Sequence, residues 1–295
     1  MSEAAISVRG LRKGYGDVQA VDGVDFEIAF GECFALLGPN GAGKTTVTEI
    51  LEGYRSRDDG TAEVLGIDPG HGDRHWRSQL GIVLQSDRDL GDLTVAEAVH
   101  HFAGYYPDPR DPDEVIKAVG LTEKHKSRNL KLSGGQRRRL DVALGIIGRP
   151  RVLFLDEPTT GFDPEARRDF WELIEGLKAE GTTILLTTHY LEEAEHLADR
   201  VAVIARGRVV ACGSPAELGG RTRGLTRVHW LEDGTLHDVR TEEPTRVVLE
   251  LSARFGGEVP GLGVDRARLE DVYLSLLDGD REAADEDFAQ GGDAE

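Results

Sequence analysis

The 295 residues suffice for one large domain or two modest ones, and one main domain with an appendage fits best. Asp and Glu outnumber Lys and Arg by 54 to 35, and the resulting net charge of −19 argues against nucleic acid or anionic lipid as a bulk partner. Two distant cysteines, Cys33 and Cys212, make no disulfide framework or metal site and fit a reducing cytoplasm; neither an export signal nor a run of about 18 apolar residues is present, so no membrane span is expected.

Residues 6–37 read as short strands, with alternation at 6–9 and more clearly at 24–28, and turns at Tyr15-Gly16-Asp17 and Phe30-Gly31-Glu32. This predicts an antiparallel layer. Tyr15 presents an aromatic face on which a purine could stack, although, taken alone, a packed turn residue is the plainer reading.

Cys33-Phe34-Ala35-Leu36-Leu37 then leads into Gly38-Pro39-Asn40-Gly41-Ala42-Gly43-Lys44-Thr45-Thr46, which satisfies GxxxxGK[ST] in full. Three glycines let successive backbone N–H groups converge, Lys44 adds an ammonium, and the Thr45 hydroxyl suits Mg²⁺. Val47, Ile50, Leu51 and Tyr54 follow at helical spacing, so a helix N-terminus is expected to point at the phosphates.

Residues 60–66 and 80–84 read as further strands, the second ending at Gln85. Ligands gather beyond strand C-termini in open α/β sheets, which gives Gln85 a possible route to Mg²⁺ or a water; a surface glutamine is the plainer reading. Residues 87–147 are predicted helical. Thr94 caps a helix bearing Val95, Ala98, Val99 and Phe102, Asp113 precedes Val115, Ile116 and Val119, and residues 105–112 form a proline-rich loop.

Leu132-Ser133-Gly134-Gly135-Gln136 opens another helix, with Ser133 as N-cap, and is a second place suited to an anion. Arg137, Arg138 and Arg139 behind it are expected on a solvated face. Residues 151–158 form a buried strand ending in Asp156, placed to order Mg²⁺, and Glu157, able to accept a proton from water. Asp163 and Pro164 start a helix carrying Phe170, Leu173, Ile174 and Leu177. The buried strand 182–188 ends at His189, whose ring could reach the γ-phosphate or attacking water. His71, Asp73 and His75 are expected in solvent.

A hairpin at 201–212 turns at Arg206-Gly207. Val228 and Trp230, a turn at Asp233-Gly234, then Leu236 and Val239 suggest strands. Val247, Val248, Leu251 and Phe255 suggest a helix, 259–264 a strand, and 269–277 a last helix. The expected fold is α/β: a P-loop NTPase core with an antiparallel β subdomain, a helical insert at about 87–147 and a small α+β C-terminal extension. The expected domains are 1–220 and 221–277, followed by an acidic, disordered tail at 278–295 where eight acidic residues face only Arg281.

Taken together, residues 6–218 resemble the nucleotide-binding subunit of ABC transporters. Residues 38–45 match its Walker A motif, 152–156 its Walker B, and Leu132 to Gln136 its signature sequence. Tyr15, Gln85, Glu157, Asp163 and His189 match, in order and spacing, the adenine-stacking aromatic, Q-loop, catalytic glutamate, D-loop and switch histidine. Leu269-Glu270-Asp271-Val272-Tyr273-Leu274 resembles the C-terminal extension of exporters of the multidrug or antibiotic resistance type. Phe162 departs from the commoner leucine.

The resemblance implies ATP and Mg²⁺, the latter near Thr45, Gln85 and Asp156. It further implies a head-to-tail homodimer in which the Ser133 and Gly135 region of one copy covers the ATP of the other. A separate transmembrane permease would hold the pair at the cytoplasmic face of the membrane without a direct lipid anchor. A soluble ABC-type ATPase and a nucleotide-gated interaction module are the rival readings; intact Glu157 and His189 weigh against the second.

Overall fold

The computed structural model describes residues 4–84, 90–218, 226–265 and Tyr273. Gln85, most of 269–274 and the tail at 278–295 lie outside the described residues. The chain divides into two compact units, Met1–Cys212 and Gly213–Glu295.

The first unit begins with β1 (Ala4–Tyr15) and β2 (Val18–Ala29), which pair antiparallel, followed by β3 (Cys33–Leu37) and α1 (Lys44–Leu51). Next come β4 (Asp59–Val64), the one-turn α2 (Arg74–Arg77) and β5 (Leu80–Val83). Helices α3 (Val95–Ala103), α4 (Pro112–Ala118) and α5 (Gly134–Ile146) lead to β6 (Val152–Asp156). The unit ends with α6 (Pro164–Ala179), β7 (Thr183–Thr188), α7 (Leu191–Leu197), β8 (Arg200–Ala205) and β9 (Arg208–Gly213).

The central sheet has strand order β5-β6-β7-β3-β8-β9, with parallel pairing from β5 through β8. Strands β3, β6 and β7 are buried at every position and mostly apolar, as expected where both faces of a sheet are covered. Phe34, Leu36, Val152, Phe154 and Leu185 pack with the antiparallel sheet β2-β1-β4 and with Val47, Ile50 and Leu51 of α1. Cys33, Leu153, Leu155, Ile184 and Leu186 point to the opposite face, against Leu140, Leu144, Phe170 and Ile174 of the helices. Each such aliphatic side chain contributes about 1.5–3 kcal/mol on burial. The C-terminal ends of β3, β6 and β7 are therefore held rigidly side by side, and the chemistry-bearing residues sit there.

Several local expectations change. Strands β1 and β2 are twelve residues each, because register shifts between Val8 and Leu11 and between Leu11 and Arg12 carry the pairing past the breaks in alternation. Tyr54 lies beyond the end of α1 and is 80% exposed. Helix α4 starts at Pro112, with Asp111 accepting from the Asp113 and Glu114 N–H groups; the proline, expected in the loop, has the φ that a first helical position requires.

In the second unit, α8 (Pro215–Leu218) precedes β10 (Thr226–Glu232), β11 (Thr235–Thr241), α9 (Pro244–Phe255) and β12 (Gly263–Asp265). The three strands form an antiparallel sheet of order β11-β10-β12. Val228, Leu251 and Val259 form its small core, with Trp230 and Phe255 against it.

Candidate functional site

The glycine loop closes tightly on its scaffold. Gly43 has φ +104, and a Cβ there would stand 2.4 Å from the Ala20 carbonyl oxygen; a Cβ on Gly38 would stand 2.3 Å from that of Ile204. Backbone on both sides cannot yield, so only glycine fits. Within the loop Ala42 N–H donates to Pro39 O, and Gly207 N–H anchors the loop by donating to Ala42 O at 3.0 Å. Pro39, Asn40, Gly41 and Thr45 are exposed at the mouth, and Thr46 is half-buried.

Gly43 supplies no side-chain cap to α1, and the helix's first turn contains no acidic residue. Its leading N–H groups and the positive end of its dipole are thus left to an anion. The Lys44 ammonium is buried and donates to Gly38 O at 2.8 Å and Pro39 O at 3.1 Å. Burial pushes its pKa down, while Glu157 and Asp156 act in the opposite sense. Donors converging on a concave loop fit the oxygens of a triphosphate.

Opposite the loop, β6 ends in the buried Asp156 and Glu157. Burial raises the Asp156 carboxyl above the usual carboxylate range, although Thr187 Oγ1 donates to its Oδ1. Glu157 has φ +46, a left-handed conformation costing about 1 kcal/mol or more outside glycine. Its N–H donates to Thr187 O at 3.0 Å and to Thr187 Oγ1 at 3.2 Å. That turn brings Glu157 Oε1 to 3.2 Å from His189 Nδ1. Thr45 and Asp156 line one cleft of about 580 Å³, so a hydroxyl and a desolvated carboxylate face the same space, a donor set suited to Mg²⁺.

Lys44, Asp156, Glu157 and His189 are thus brought into one neighbourhood. Tyr15 stands at the β1 turn, 40% exposed, with the Arg55 guanidinium 5.1 Å and the Lys13 ammonium 5.7 Å from its ring centre. Ser133 caps α5 and forms a reciprocal capping box with Gln136, leaving Ser133 and Gly134 exposed and Leu132 buried. Gly135 faces Phe162, and Asp163 caps α6 by accepting from Ala166 N–H at 2.8 Å. Asp73 is an N-cap for α2, and among the described residues no cluster of three or more His, Cys, Asp or Glu could hold a metal.

Arg138 departs from the solvated face expected for it. It is 6% exposed and donates to the carbonyls of Leu84, Asp156 and Pro158, bracing the end of β5 and both sides of the Asp156-Glu157 turn. The signal was its spacing: Arg138 lies one helical turn from Asp141 and Val142, which are also buried. Thr187, likewise missed as a site residue, ties the two carboxylate positions together.

The ABC transporter family profile matches residues 21–160. The chain is 44% identical over 301 residues to a Nod factor export ATP-binding protein I from Rhizobium sp. (strain N33), covering 94% of this chain and 98% of the relative. It is 42% identical over 230 residues to the daunorubicin resistance ATP-binding protein DrrA3 of Streptomyces coeruleorubidus, covering 76% and 72%. Among solved structures, the ATP-binding subunit of an ABC transporter shares the fold at TM-score 0.70 and 23% identity, covering 92% of this chain and 99% of that one. A dimeric bacterial ABC transporter cassette shares it at TM-score 0.63 and 23% identity, covering 71% and 98%. Cassettes of this family bind ATP and work as dimers with a membrane permease. No helix among the described residues is long and apolar enough to cross a membrane. The chain belongs to the ATP-binding subunits of ABC transporters and is an ATPase.

Proposed function

We propose that this ATPase drives export of a small amphiphilic compound through a separate transmembrane subunit, at the cytoplasmic face of the membrane. The carrying observation is the Glu157–His189 pair, 3.2 Å apart just beyond the C-terminal ends of β6 and β7, with Glu157 acting electrostatically on Lys44. The relatives named for Nod factor export and daunorubicin resistance support the direction and the kind of cargo.

In this reading Lys44 and the N–H groups of residues 41–46 hold the phosphates, and Tyr15 stacks on adenine. Glu157 takes the proton of the attacking water, and His189 fixes the γ-phosphate. Thr45 and Asp156, with Gln85 as a third candidate, would hold Mg²⁺, which would supply charge neutralisation for the phosphates. Two copies pack head to tail, each covering the other's nucleotide with Leu132, Ser133, Gly134, Gly135 and Gln136 while Asp163 lies at the seam. Residues 1–220 form the ATP-binding domain, with 221–277 a separate small domain. With a net charge of −19, attachment runs through the permease and not through lipid charge.

The test is phosphate release by the purified chain, followed by cargo efflux from vesicles holding it with its membrane subunit. ATP hydrolysis without any cargo-dependent efflux would sink the export reading.

A further inference from the structure

Behind the catalytic pair the protein buries a carboxylate for which the mechanism above has no use. Glu193, on α7, is 0% exposed, and neither of its carboxylate oxygens meets a partner at hydrogen-bond geometry among the described residues. An acidic group in such a place is costly unless donors gather round it. They do gather: the Thr159 and Thr188 hydroxyls and the Trp171 indole N–H stand within interaction range, and the Arg167 guanidinium adds its field. Thr159 Oγ1, Arg167 Nε and Trp171 Nε1 are themselves buried without a hydrogen-bond partner. Buried donors and a buried carboxylate thus share one interior region.

The donors belong to segments with different tasks. Thr159 lies between Glu157 and Asp163, and Thr188 immediately precedes His189. Thr188 also accepts from Tyr190 N–H at 2.9 Å, which shapes the turn carrying His189. Arg167 and Trp171 are on α6, the helix that Asp163 caps. The Arg167 guanidinium lies 5.0 Å from the centre of the Tyr190 ring and 3.8 Å from Glu192, so both helix starts meet beside Glu193.

We propose that Glu193 is a positioning residue, tying Thr159 and the D-loop behind it to Thr188 and His189, so that displacement of the D-loop by a partner copy is passed to the catalytic pair. Glu193 itself is fully buried and acts through these two threonines. The inference rests on the assignment of Glu157 and His189 as the hydrolytic pair.

The full chain tests this through two substitutions of nearly constant volume. Glu193→Leu removes every tie, whereas Glu193→Gln retains polar contact with both hydroxyls. Glu193→Leu should lower kcat about tenfold or more with the KM and Kd for ATP held within about twofold, and Glu193→Gln should recover to within about threefold of the original. Thr159→Val and Thr188→Val should each lower kcat and add nothing further in the Glu193→Leu background. Loss of ATP affinity in step with kcat, equal damage from Gln and Leu, or additive threonine effects would each overturn the latch.

A second readout does not depend on hydrolysis. In protein labelled with 5-fluorotryptophan, the Trp171 resonance, assigned with Trp171→Phe, should shift on adding Mg·ATP and stay in place in Glu193→Leu. A resonance unmoved in the original protein rejects the latch even where ATP is hydrolysed. A shift without phosphate release rejects the ATPase mechanism and leaves the latch standing.

Discussion

Arg138, on the helix opened by Ser133, donates to the backbone carbonyl of Asp156 at the end of the central strand that bears the carboxylates. It also holds the Leu84 and Pro158 carbonyls, so one guanidinium spans three backbone groups. Arg138→Met removes the donors and orphans buried acceptors, which costs about 2–4 kcal/mol. Thermal denaturation should show a lower Tm and phosphate release a lower kcat. Lysine cannot offer the same fork, so Arg138→Lys should recover less than half of the loss. An unchanged Tm in both variants would remove Arg138 from this bracing role.

Glu157 stands 3.2 Å from His189 and is buried with the end of its strand. Glu157→Gln keeps shape and polar contacts but cannot take a proton, so kcat should fall by about 10²–10⁴ while ATP still binds. With hydrolysis stopped, an ATP-dependent dimer should accumulate in size-exclusion chromatography. A variant that hydrolyses at the original rate would take the general-base role away from Glu157.

At the loop, Lys44 is the cation that Gly38 and Pro39 carbonyls hold in place. Lys44→Ala should weaken ATP binding by about tenfold or more, measured by calorimetry, since a charge-assisted contact contributes about 1.5–3 kcal/mol. Gly43→Ala should do at least as much damage for a steric reason: φ is +104 and the added Cβ meets Ala20 O at 2.4 Å. Full ATP affinity in both would refute the phosphate assignment.

What was legible in the sequence was local. The run Gly38 to Lys44, the Ser133 N-cap and the Asp163-Pro164 helix start each depend on neighbours within a few residues, and each sits where spacing placed it. Arg138 was legible only as a position one helical turn from Val142, and Glu193 not at all, because the partners of a buried polar side chain lie far off in the chain: carbonyls 18 to 54 residues away for the first, residues on other segments for the second. Strands β1 and β2 were underestimated for a related reason. Register shifts interrupt alternation in the sequence, while pairing across the sheet continues.

Glu193 also gives a stability prediction with a definite sign. Burial raises its carboxyl pKa above the usual range, with Thr188, Thr159, Arg167 and Trp171 opposing. A carboxyl whose folded pKa exceeds its unfolded one binds its proton more tightly in the folded state, so stability falls as pH rises from the unfolded pKa to the folded one, and the loss is absent below the unfolded pKa. Glu193→Gln should therefore raise Tm by a few degrees at about pH 8, the gain shrinking toward about pH 5. His196 stacks on Trp171 at 4.4 Å and lies 3.4 Å from Glu175, and all three residues are common to both proteins. A gain that widens on acidification, or a loss at pH 8, would mean that Glu193 is stabilised as the anion by its donors despite its burial.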